Sequence, residues 1–91
     1  MPGAARTLTI CNEKGLHARA SAKFVEMVEA FDAEAYVRRD GAEVSGDSIM
    51  GLLMLGAAID CEIEVETTGP DAERLMEALA KLVADRFGEP R

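Results

Sequence analysis

Cys61, Ile63 and Val65 alternate with Glu62, Glu64 and Glu66, the period of two that marks a strand with one buried face. Thr7, Leu8, Thr9 and Ile10 alternate in the same way, predicting a first strand over residues 6–11 with Leu8 and Ile10 facing inward and residues 1–5 as a loose lead-in. Phe24, Val25, Val28 and Phe31 then recur at helical spacing, which predicts a helix over 18–30. Ala35 and Val37 alternate with Glu34, Tyr36 and Arg38 in a second strand over 33–39. Asp40-Gly41 is a hairpin dipeptide, because glycine tolerates the positive φ of a tight turn, and 42–45 returns as a short third strand. Ser48 is placed to cap a short helix reaching about Leu55, with Gly56 ending it. After 61–66, Thr67-Thr68-Gly69-Pro70 reads as a loop. Asp71 can then cap a last helix whose Leu75, Met76, Leu79, Leu82 and Val83 form one apolar stripe, and Gly88-Glu89-Pro90 stops it.

The order is therefore strand, helix, two strands, short helix, strand, helix. Strands with one wet face require the helices to stack on the other, which gives a two-layer α+β fold, an open-faced sandwich. At 91 residues the chain is expected to be one domain over 1–91, with a single core and no repeat or linker. No apolar run approaches the roughly 20 residues needed to span a bilayer, and the N-terminus lacks a basic-then-apolar signal pattern, so a cytoplasmic protein with no membrane insertion is expected. The net charge of -7 argues against nucleic acid, whose phosphates demand clusters of Lys and Arg, and in favour of protein partners.

Charge and pattern leave one stretch with chemistry, Gly15-Leu16-His17-Ala18-Arg19-Ala20-Ser21. His17, the only histidine, follows a polar turn and precedes the first helix. At a helix start the first N–H groups, here those of Ala18, Arg19 and Ala20, lack intrahelical acceptors and carry partial positive charge, so an anion is favoured there. The Arg19 guanidinium adds a planar fork of donors suited to phosphate. A neutral imidazole beside an anion cradle suggests a phosphoryl acceptor, since histidine has a free ring nitrogen near neutral pH. The plainer alternative is a surface or satisfied polar histidine. One His and two distant Cys do not make a metal-ligand cluster, and no cofactor is implied.

Gly15-Leu16-His17-Ala18-Arg19, followed by Ser48-Ile49-Met50-Gly51-Leu52, resembles the two signatures of the HPr family, the histidine-containing phosphocarriers of the bacterial phosphotransferase system. The likeness covers nearly the whole chain in order. It implies four antiparallel strands ordered 1-4-2-3 with three helices on one face. It further implies a monomeric carrier, not an enzyme, in which the δ nitrogen of His17 takes a phosphoryl group from phosphorylated enzyme I and passes it to a IIA protein or domain. Arg19 would be the phosphate partner. Ser48 would be open to regulatory phosphorylation by an HPr kinase, and the docking surface would lie around the histidine on the first helix and on the short helix at Ile49, Met50 and Leu53. The short helix has more apolar residues than two turns can bury on one side, which independently leaves a docking patch open beside ordinary core packing.

Two departures from the family pattern bear on this. Many HPr proteins have proline after the arginine, where Ala20 stands here; alanine keeps the helix but leaves the entry turn less rigid. Glu26 and Glu29 occupy the first helix where sugar-transport members often carry lysine, which weakens docking to an acidic IIA surface and favours the nitrogen-related branch or a lineage with a matching IIA. The competing class is a non-catalytic interaction or sensing module on the same fold. By strand parity Cys61 points into the core and Cys11 to the wet face, so no disulfide is expected between them.

Overall fold

The computed structural model describes residues 3–91 and places the elements in the predicted order: β1 (Gly3–Thr9), α1 (Ala18–Glu29), β2 (Glu34–Arg39), β3 (Ala42–Ser45), α2 (Ile49–Met54), β4 (Glu62–Thr68) and α3 (Ala72–Ala84), then a single 3-10 turn, Arg86–Gly88. The sheet runs β1-β4-β2-β3 with every neighbouring pair antiparallel. Leu8 lies opposite Ile63, and Val37 opposite both Val65 and Val44, so the alternation in each strand builds one apolar face. Onto it α1 packs Ala20, Phe24 and Val28, and α3 packs Leu75, Met76, Leu79 and Val83, joined by Leu16, Leu52, Leu55 and Phe87 in one buried cluster. Burying such side chains is the main favourable term in the fold.

The opposite face is polar, as the glutamates at 62, 64 and 66 require. Arg38 lies among them and bonds Glu43 and Glu66, each at 2.6 Å. These exposed pairs add little stability and mainly keep the acidic face from repelling itself. Asp40 and Gly41 both take positive φ, 52° and 82°, the primed turn that the hairpin dipeptide calls for.

Several boundaries differ from the sequence expectation. Gly3, Ala4 and Ala5, expected as lead-in, pair with Thr68, Thr67 and Glu66, while Met1 and Pro2 lie outside the described residues. β1 also ends at Thr9, short of Cys11. Thr67 and Thr68, expected in a loop, complete β4. Thr67 is fully buried, and its hydroxyl donates to Ala72 O at 2.7 Å, so a polar residue fits there because α3 supplies an acceptor. Asp71 holds the N-cap position of α3, its carbonyl accepting from Leu75 N at 2.8 Å, but its side chain makes no cap bond: the carboxylate accepts from Asp32 N at 3.0 Å and ties the end of the loop after α1 to the start of α3. Cys11 does not face the wet side. The strand parity stops at Thr9, and the Cys11 thiol turns to the end of α3, 3.2 Å from Val83 O. Cys61 packs partly buried against the core, and both thiols are free.

Candidate functional site

The loop from β1 to α1 is pinned before the helix begins. Gly15 has φ +67°, a region glycine enters without strain, and a Cβ at that position would collide with Ala57 O and lie 2.9 Å from Ala58 Cα. Leu16 N donates to Ala57 O at 2.9 Å, and the Leu16 side chain is buried. The start of α1 is thus clamped to the connection that follows α2. His17 comes next with extended backbone and is itself the N-cap: its carbonyl accepts from Ser21 N at 2.8 Å, and its Nδ1 accepts from Arg19 N at 3.3 Å. Ser21, fully buried, returns its hydroxyl to Leu16 O.

The other ring nitrogen faces a residue that sequence reasoning missed. His17 Nε2 meets Glu89 Oε2, while Glu89 Oε1 accepts from Asn12 Nδ2 at 3.0 Å. Asn12 is buried and also donates to Gly15 O at 2.9 Å. Since both partners are acceptors, the amide nitrogen must point at them; the Asn12 Oδ1 has no partner among the described residues. Glu89 arrives by an unusual path. After α3 the chain takes positive φ at Arg86, Phe87 and Gly88, buries Phe87, and is held by Lys23 Nζ on Phe87 O at 2.7 Å. The hydrogen bond from Asn12 is the chief cause that holds the Glu89 carboxyl below the usual carboxylate range; desolvation opposes it, and the His17 contact and the Arg19 charge reinforce it.

These contacts assign the ring. A backbone N–H donating to Nδ1 and a carboxylate at Nε2 select the tautomer with the proton on Nε2 and the lone pair on Nδ1. The histidine side chain is 24% exposed. Arg19 is exposed, and its guanidinium has no hydrogen-bond or ion-pair partner among the described residues. Of the three N–H groups expected to cradle an anion, that of Arg19 is directed at Nδ1 itself, leaving those of Ala18 and Ala20 at the open end of the helix.

Ser48 caps α2, its Oγ accepting from Gly51 N at 2.9 Å, while the neighbouring Asp47 carboxylate takes the Ser45 hydroxyl at 2.6 Å. Within α2 only Leu52 is buried. Ile49, Met50, Leu53 and Met54 are exposed, Met50 at 68% and Met54 at 80%, and Ile59, in the connection that clamps Gly15, is exposed as well. The apolar excess in α2 is therefore surface, not core.

A small α+β sandwich that presents a histidine N-cap beside a free arginine and an apolar two-turn helix defines a narrow class of protein. The family model described as PTS HPr component phosphorylation site matches residues 4–85. Phosphocarrier protein HPr of Cupriavidus necator is 46% identical over 84 residues, covering 92% of this chain and 94% of that protein. Phosphocarrier protein NPr of Escherichia coli K12 is 41% identical over 85 residues, with the same shares of both chains. The crystal structure of HPr-C-His from Thermoanaerobacter tengcongensis aligns with a TM-score of 0.92 at 34% identity, covering 97% of this chain and 99% of that one. The chain belongs to the HPr family of phosphocarriers.

Proposed function

We propose that this protein relays phosphoryl groups in a phosphoenolpyruvate-dependent phosphotransferase system, with His17 taking the group from phosphorylated enzyme I and giving it to a IIA protein or domain. The observation that carries this reading is the ring of His17, part-exposed at the start of α1 with its Nδ1 lone pair turned to the Arg19 N–H in the first turn of the helix. A phosphoryl group built on Nδ1 sits where the helix dipole and unpaired N–H groups favour negative charge, and where the free Arg19 guanidinium can reach it. The apolar surface of Ile49, Met50 and Leu53 supplies the docking contact, beside which charged transfer partners bring their own phosphohistidine or acceptor. Ser48 phosphorylation places negative charge at the rim of that surface without removing a core contact, and slows docking by desolvation cost and repulsion. Glu26 and Glu29 are both exposed on α1 and favour a IIA partner whose surface is not acidic.

The test is incubation with phosphoenolpyruvate and enzyme I. Wild type gains the mass of one acid-labile phosphoryl group, His17→Ala gains none while keeping its fold, and Arg19→Ala is phosphorylated more slowly. Full uptake by His17→Ala refutes the assignment.

A further inference from the structure

Glu89 lies beyond residues 4–85, the segment matched by the family model, and 72 positions from His17, yet it is delivered to the ring by a specific backbone path. Arg86 and Phe87 hold positive φ, 58° and 54°, a conformation that side-chain-bearing residues avoid and that persists only where the surroundings enforce it. Here the enforcement is visible: Phe87 is 1% exposed in the core, Lys23 from α1 holds its carbonyl, and Gly88 N and Glu89 N close back onto Asp85 O and Arg86 O at 2.9 Å each. The side chain of Glu89 is only 10% exposed, and its two oxygens are divided between Asn12 and His17. A tail that merely covered the core would need Phe87 and not a buried carboxylate against an imidazole.

We infer that Glu89, held by Asn12, is a positioning residue for phosphoryl transfer, orienting the His17 ring and stabilising the positive charge that develops on it. The inference rests on the proposed role of His17. In the step concerned, the Nδ1 lone pair forms the new N–P bond, and the bond between phosphorus and its leaving group on the donor breaks, that group keeping the electron pair. The ring, having given up a lone pair, becomes cationic over both nitrogens, with the Nε2 proton in place throughout. Its hydrogen bond to Glu89 thereby changes from one facing a neutral ring to a charge-assisted one, so the carboxylate favours the transition state over the ground state.

The experiment compares wild type, Glu89→Gln and Glu89→Ala in single-turnover phosphorylation by enzyme I, with the urea unfolding midpoint of each as a folding control. Glu89→Gln keeps the size and an acceptor oxygen but not the charge. Its transfer rate at saturating donor is expected to fall about tenfold, as expected for exchanging a charged acceptor for a neutral one, with the donor concentration at half-maximal rate unchanged. Nitrogen-15 spectra of the neutral His17 ring provide a second readout that requires no transfer. Wild type shows the Nε2–H tautomer with slowed exchange of that proton, and Glu89→Ala shows fast exchange. Rates within twofold of wild type in both variants, or ring spectra indifferent to Glu89→Ala, overturn the inference while leaving His17 as acceptor. If wild type itself takes up no phosphoryl group, the carrier reading fails instead, and the ring spectra alone decide whether Glu89 orients the imidazole.

Discussion

Replacing Gly15 with alanine tests whether the loop before His17 is clamped to the connection after α2. Two costs apply. The left-handed conformation at φ +67° costs an L-residue about 1–2 kcal/mol. The new methyl would also collide with Ala57 O and sit 2.9 Å from Ala58 Cα, both backbone atoms that cannot rotate away, and such overpacking adds about 1–3 kcal/mol. Gly41 is the matched control: its φ is +82°, but nothing lies within 4 Å of where its Cβ would stand, so Gly41→Ala carries the conformational cost alone. Any reduction in unfolded-state entropy is common to both variants and cancels in the comparison. Gly15→Ala is therefore expected to be less stable than Gly41→Ala by about 1–3 kcal/mol, a further fall in Tm of roughly 4–24 °C for a domain of this size. Circular dichroism during urea and thermal unfolding measures both. Because relief of the collision moves the entry to α1 or the 57–58 backbone, Gly15→Ala should also slow phosphorylation of His17, whereas Gly41→Ala should not. Equal stability losses in the two variants would refute the clamp.

Three further outcomes follow from the same contacts. Ser48→Ala removes the cap on α2 and should cost about 1 kcal/mol in urea unfolding, whereas Ser48→Asp can still cap and should stay near wild type in stability while slowing transfer from enzyme I. Met50→Ser, at a side chain 68% exposed, should change stability by less than about 0.5 kcal/mol yet weaken docking, read as a higher enzyme I concentration at half-maximal rate. The Glu89 carboxyl is held below its ordinary range in the fold, so it binds a proton less readily folded than unfolded. Its contribution is therefore fully present above the usual carboxylate pKa and is lost as pH falls through the lowered folded value. The stability difference between wild type and Glu89→Gln, measured by urea unfolding, should persist at neutral pH and shrink toward zero in strong acid.

What the sequence made legible is what local pattern dictates. Alternation at Leu8, Ile10, Ile63 and Val65 set which sheet face is buried, Asp40-Gly41 set the hairpin, and Ser48 set the start of α2, because each depends on residues a few positions apart. His17 was legible as a helix start for the same reason. The strand ends at Gly3 and Thr68 were not, since small and hydroxyl residues look like loop until a neighbouring strand pairs with them and α3 offers Thr67 an acceptor. Asp71 stands at the cap position of α3 as its local sequence indicates, but nothing local shows that Asp32 N claims its carboxylate. Glu89 was least legible of all. Gly88-Glu89-Pro90 signals only a helix stop, and the one hint that the tail returns is the large apolar Phe87 just beyond the polar end of α3, an anchor whose consequence is a contact with the ring 72 positions away.

Whether His17 Nδ1 is the acceptor is decided by locating the phosphoryl group. Protein labelled with nitrogen-15 in histidine is phosphorylated by enzyme I and phosphoenolpyruvate and examined by phosphorus and nitrogen NMR. A single phosphoryl group on His17 is expected, with phosphorus coupled to Nδ1 and a proton remaining on Nε2. A phosphoryl group on Nε2, or on any residue other than His17, would contradict it.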